Sequence, residues 1–140
     1  MSKRIALKDY VEVDGVDLSD FFSQIGFSSQ QSQEDVSGFN ASGNDEFLAG
    51  KTTQSVTGQV FGAYGSGETW DILWPLHKNR TIFTFKWRPD SSQPVSSTNP
   101  QLEGNAQLLS WAPGATRGSV DSFPVTFSPA DAAGFDYVET

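Results

Sequence analysis

Arg80-Thr81-Ile82-Phe83-Thr84-Phe85-Lys86-Trp87-Arg88 decides how this chain is read. Successive side chains of a strand point to opposite faces. Thr81, Phe83, Phe85 and Trp87 therefore share one face, and Arg80, Thr84, Lys86 and Arg88 the other, with Ile82 the exception. The pattern predicts a strand with an aromatic, packed face and a basic, wet one. It sets positive charge in the middle of a chain whose formal net charge is -8.

The surroundings of this strand indicate a mainly β domain. A chain of 140 residues fits a single domain (1–140) with one core. Eleven Phe and 4 Trp supply large buried areas although only 36% of residues are apolar. Thirteen Gly and 7 Pro call for many turns. Without cysteine, disulfides and thiolate metal sites are excluded. No stretch approaches the ~20 apolar residues that span a bilayer, so no membrane partner is expected. Met1 to Leu7 runs straight into Lys8 and Asp9, leaving no apolar signal-peptide core, and synthesis in the cytoplasm is expected.

Outward from the opening strand, Val11 to Leu18 alternates apolar and acidic residues around Asp14-Gly15, a two-residue hairpin signal. Ser19 to Ser29 reads as a strand, with a short helix at Ser19 as the alternative, and Gln30 to Gln33 as structureless. Asp35 to Phe39 reads as a short strand, Asn40 to Asp45 as a loop and Lys51 to Ala63 as a longer strand. Trp70, Leu73, Trp74 and His77 recur at i, i+3, i+4 and i+7, one face of a short helix over about 67–78 that Ser66 or Gly67 would cap and Pro75 would bend. Pro89 to Pro100 is a Ser- and Pro-rich loop. Leu102 to Trp111 is a strand presenting Gln107, Leu109 and Trp111 on one face. In Ser119 to Phe127, Phe123, Val125 and Phe127 share a face, and Pro124 suggests an edge strand or a bulge. The acidic tail 129–140 reads as a swinging arm. The expected core comprises Trp70, Leu73, Trp74, Phe83, Phe85, Trp87, Trp111, Phe123 and Phe127.

Chemistry is sparse. His77 is the only histidine, and a general base needs an orienting partner. Gly62 to Gly67 lacks the P-loop lysine and the spacing of a dinucleotide fingerprint. Asp14, Asp17 and Asp20 recur every three residues, yet an EF-hand counted from Asp14 would need Gly at Ser19 and Glu at Ile25. No catalytic residue, cofactor or metal is expected, and the chain is read as a non-enzyme.

Charge is uneven. Residues 1–50 carry nine acids and three bases, 51–98 three and five, and 99–140 five and one. Such a balance disfavours nucleic-acid binding, which needs clustered Lys and Arg, and suits complementary contacts between proteins. Bare solubility is the plainer reading.

Several segments taken in order carry a resemblance: Val13 to Ser19, Asp35 to Phe39 with Glu46 to Gly50, Thr69 to Trp74 leading into Phe83 to Pro89, Asn99-Pro100 with Leu102 to Gly104, and Ser119 to Phe127. Over about residues 10–128 this order resembles the tail tube (major tail) proteins of long, non-contractile-tailed bacteriophages, the siphophage type. The resemblance implies a β-sandwich or barrel-like domain with a flanking helix, assembled as hexameric rings stacked into a hollow tube that passes DNA. It makes 28–50 an inter-subunit loop and 129–140 a C-terminal arm. It implies as partners other copies of the chain, tape measure, tail terminator and tail tip proteins, and genomic DNA in transit only. The location implied is the virion tail, after synthesis in the host bacterial cytoplasm. Phe39, Asn40, Phe47, Lys86 and Arg88 are subunit-contact candidates, and Asp14, Asp17, Glu103 and Asp121 are candidates to line the lumen, where acids would repel phosphates. Two other readings compete: a head-decoration or tail-completion protein, and a carbohydrate-binding β-sandwich using Trp70, Trp74, Trp87 or Trp111 as platforms.

Overall fold

The computed structural model describes residues 6–38, 43 and 47–140. Strands β1 (Tyr10–Val13) and β2 (Val16–Asp17) form the hairpin that Asp-Gly signals. Asp14 and Gly15 both take positive φ, 53° and 79°, as a turn matched to strand twist requires. A single 3₁₀ turn, Ser19–Phe21, leads into β3 (Phe22–Asp35), which pairs with β4 (Phe47–Phe61). Helix α1 (Thr69–Lys78) is followed by β5 (Phe83–Arg88), β6 (Gln101–Trp111), β7 (Ser122–Pro129) and β8 (Asp136–Val138). The described strands make one antiparallel, unclosed sheet in the order β2-β1-β5-β6-β7-β4-β3, with β8 added to β6. The chain is thus mainly β with one helix.

The opening strand behaves as its pattern dictates from Phe83 onward. Phe83 and Phe85 are buried against Phe127, with ring centroids 5.8 and 5.2 Å away. Thr81, outside β5, is exposed. Val11 and Val13 of β1, Val56 and Val60 of β4, Leu102, Ala106 and Leu108 of β6 and Phe123, Val125 and Phe127 of β7 join the same cluster. One face of the sheet therefore holds the core, and α1 lies against β6.

Four expectations shift. The helix buries Thr69, Leu73 and Leu76 with Ile72 packed beside them, whereas Trp70 is 43% exposed and Trp74 and His77 are half-buried. Both sets satisfy helical spacing and share Leu73; the sheet decides between them. Trp74 covers Trp111 at 5.9 Å, and Trp111 meets Phe123 edge-on at 4.8 Å, so these two tryptophans border the core while Trp70 leaves it. Trp87 is likewise half-buried, its Nε1 donating to Asp9 at 2.7 Å. In β6, pairing jumps from Leu108↔Phe127 to Ser110↔Thr126. Leu109 is the extra residue of this bulge and is exposed, while Leu108 is buried. Pro124 lies in an inner strand, paired with Gln59 of β4, but the β6 ladder ends at Trp111↔Val125, so no β6 rung falls on the proline.

The helix runs through Pro75, with Glu68 at its N-cap and no side-chain cap bond. Asp71 reaches back instead, accepting the Gly67 N–H at 2.9 Å. At the other end Thr81 N–H donates to Leu76 O and Arg80 N–H to His77 O, a Schellman closure with Arg80 in the left-handed position at φ 54°. The loop after β5 is ordered by buried Asn99, whose Nδ2 reaches the carbonyls of Asp90, Gln93 and Pro94 while its Oδ1 accepts Asp90 N–H.

The tail is no free arm. Phe135 is buried between Phe27 and Phe85, and β8 pairs with Gln101–Glu103 along the part of β6 that β7 does not reach. Gln54 clamps it, accepting Phe135 N–H at 2.8 Å and donating to its carbonyl at 3.1 Å. Gly104 permits the approach, since a Cβ there would sit 2.6 Å from Phe135 and 2.8 Å from Gly134 O.

Candidate assembly surfaces

Of the stretch 28–50 that the resemblance makes an inter-subunit loop, 28–35 and 47–50 are strand. β7 leaves β4 at Val56↔Phe127, and beyond that point, among the described residues, β3 and β4 pair only with each other, from Ser28↔Ser55 to Asp35↔Phe47. Eight residue steps from Phe27 to Asp35 carry this ribbon roughly 26 Å past the sheet at ~3.3 Å per residue. Every residue from Ser28 to Asp35 is exposed. Serines and glutamines give no apolar alternation, so periodicity missed the strand; the partner residues Thr52, Thr53 and Gln54 supply the ladder. A two-stranded ribbon with no core face is marginal alone in water, which makes it a surface suited to a partner. Phe39 and Asn40 lie outside the described residues, and Phe47 opens β4 opposite Asp35.

Lys86 and Arg88 find partners in their own chain. Register places Glu12, Lys86 and Glu103 side by side across β1, β5 and β6, and Lys86 Nζ lies 3.8 Å from Glu12. Arg88 stacks 4.1 Å over the Tyr10 ring and donates to Gln101 Oε1 at 2.9 Å and to the Asp90 carbonyl at 3.3 Å. The basic stripe thus crosslinks strands within the subunit, because the neighbouring strands carry acids and an aromatic at the matching rungs. Tyr10 OH donates to Glu12 at 2.6 Å, and burial first, then that bond, push its phenol up to about 12.

Of the four acids named for a lumen, Asp17 and Glu103 share the rung that runs through Glu12 and Lys86, while Asp14 lies in the hairpin turn and Asp121 precedes β7. Asp14 and Asp17 are exposed on the first hairpin, where Asp17 accepts the Ser19 N–H. Glu103 accepts Gln101 Nε2 at 2.7 Å, and half-buried Asp121 precedes β7, its carbonyl bonded to Gly62 N–H. Among the described residues no three His, Asp or Glu stand close enough to hold a metal ion, and no helix is long and apolar enough to cross a membrane.

Sequence reasoning passed over one surface. At the C-terminal end of α1 a groove of about 550 Å³ is lined by Trp74, His77, Lys78, Arg80, Gln107 and Leu109. His77 Nδ1 donates to Leu108 O at 3.0 Å, which fixes the ring against β6. Two basic residues flanking the helix end were the available signal.

No protein-family model matches the chain, and no curated protein does. Solved structures do. A chain of the native gene transfer agent virion aligns with TM-score 0.65 at 14% identity, over 84% of this chain and 85% of that one. A chain of the tail of the empty gene transfer agent particle, refined with C6 symmetry, gives 0.66 at 14%, over 84% and 82%. One from the six-fold symmetrised anti-feeding prophage baseplate gives 0.61 at 14%, over 99% and 98%. The fold is therefore shared with chains of a gene transfer agent virion and tail and of an anti-feeding prophage baseplate.

Proposed function

We propose that this chain is a structural virion subunit, without catalytic role, that assembles with copies of itself into stacked rings forming a phage tail tube. The polar ribbon carrying no core of its own is the observation that supports this most, since it exposes a long backbone ladder that a neighbouring copy would cover. Among the described residues the sheet ends at β2 and β3, and these edges support ring closure, because a repeated head-to-tail contact of suitable rotation closes a ring. The acidic balance supports a channel that passes DNA without holding it. Partners would be the tape measure, terminator and tip proteins of the same tail.

Near-full-length similarity to the baseplate chain favours a second reading, a tail-completion or baseplate ring that does not polymerise. Negative-stain microscopy of the concentrated protein separates the two. Tubes of unlimited length are expected; single rings would favour the second reading, and monomers across low and high salt would overturn both.

A further inference from the structure

We propose that the groove at the C-terminal end of α1 receives the acidic far end of the β3–β4 ribbon of a second copy of this chain. The inference rests on the assembly reading above and names its contact. Lys78 and Arg80 rim the groove, both are exposed, and neither has an acidic partner among the described residues, whereas Lys86 has Glu12. Arg80 holds the left-handed position of the helix closure, where glycine would be free of steric cost, and so presents its guanidinium at the expense of backbone comfort.

The ribbon complements this rim. Glu34 and Asp35 end β3, and no Lys or Arg occurs from 9 to 50. Val36 and Leu48, exposed beside those acids, match the apolar floor of Trp74 and Leu109. A reach of roughly 26 Å takes this end beyond its own domain. Opposite charges around an apolar centre are the layout of a specific protein contact, and the pairing weakens as salt screens it.

The natural absence of cysteine permits a clean test. Val36→Cys and Leu109→Cys proteins, mixed and oxidised, are expected to cross-link to each other far above either alone and above a Thr116→Cys control. Reversing the rim with Lys78→Glu and Arg80→Glu in the Leu109→Cys protein should cut the yield about tenfold, and adding Glu34→Lys and Asp35→Lys to the Val36→Cys protein should restore it. Circular dichroism confirms that each variant is folded. Arg80→Gly should raise the melting temperature and lower the yield together. Yields equal to the control, or indifferent to both reversals, overturn the inference even if tubes form. Cross-linking without tubes or rings upholds the contact and overturns the assembly reading. Duplex DNA that blocks labelling of the Leu109→Cys protein where a second copy does not would assign the groove to phosphate and sink the proposal.

Discussion

Single residues show where burial and hydrogen bonding disagree. Thr69 is 1% exposed, and its hydroxyl has no partner. A buried hydroxyl left unpaired costs about 1–3 kcal/mol, so Thr69→Val, of the same shape, is expected to hold or raise the melting temperature. A clear drop in a thermal melt would mean that the hydroxyl is bonded after all. Tyr10 makes a pH prediction. Its folded pKa of about 12 exceeds the unfolded value near 10, so the folded state keeps the proton longer. Its contribution is therefore fully present below about pH 10 and is lost as pH rises toward 12. Denaturant melts should show a steeper loss across that window in the native protein than in Tyr10→Phe; equal slopes would remove Tyr10 as a cause. Residue identity in the sequence announced neither effect, since both depend on which neighbours the fold brings up.

Elements differ in how much of them was legible. The Asp14-Gly15 hairpin and the Phe83-Phe85 face were readable because turn chemistry and period-two alternation are local. The helix was readable in place but not in rotation: residues 69, 72, 73 and 76 and residues 70, 73, 74 and 77 fit the same spacing, and β6 selected the first set. Leu109 was misassigned because a bulge adds one residue and turns the faces over. The tail reads as polar and acidic, yet one aromatic at 135 docks it. Phe135→Ala should cost about 3–5 kcal/mol in denaturant unfolding, as for other buried aromatics, and should release β8 to faster amide exchange. A loss well under 1 kcal/mol would show that the segment merely rests on the sheet.

At the scale of the molecule, two parts obey different rules: a sheet that packs aromatics on one face, and a ribbon whose β3 strand is exposed from Ser28 to Asp35. Replacing residues 31–52 by an Asn-Gly turn between Gln30 and Thr53, a paired rung, should leave the melting temperature within a few degrees, because every residue from Ser28 to Asp35 is exposed. The shortened protein should nevertheless fail to stack in negative stain; normal tubes would show the ribbon is dispensable for assembly. The sequence by itself determined the mainly β class, the first hairpin, the aromatic face of β5 and the acidic balance, because these rest on local periodicity, turn residues and composition. Only the tertiary structure decided that Lys86 and Arg88 meet Glu12, Tyr10 and Gln101 within the chain, that 30–34 is strand, and that the tail is packed. Each of these depends on cross-strand register and on contacts between residues far apart in the chain, which no local pattern encodes.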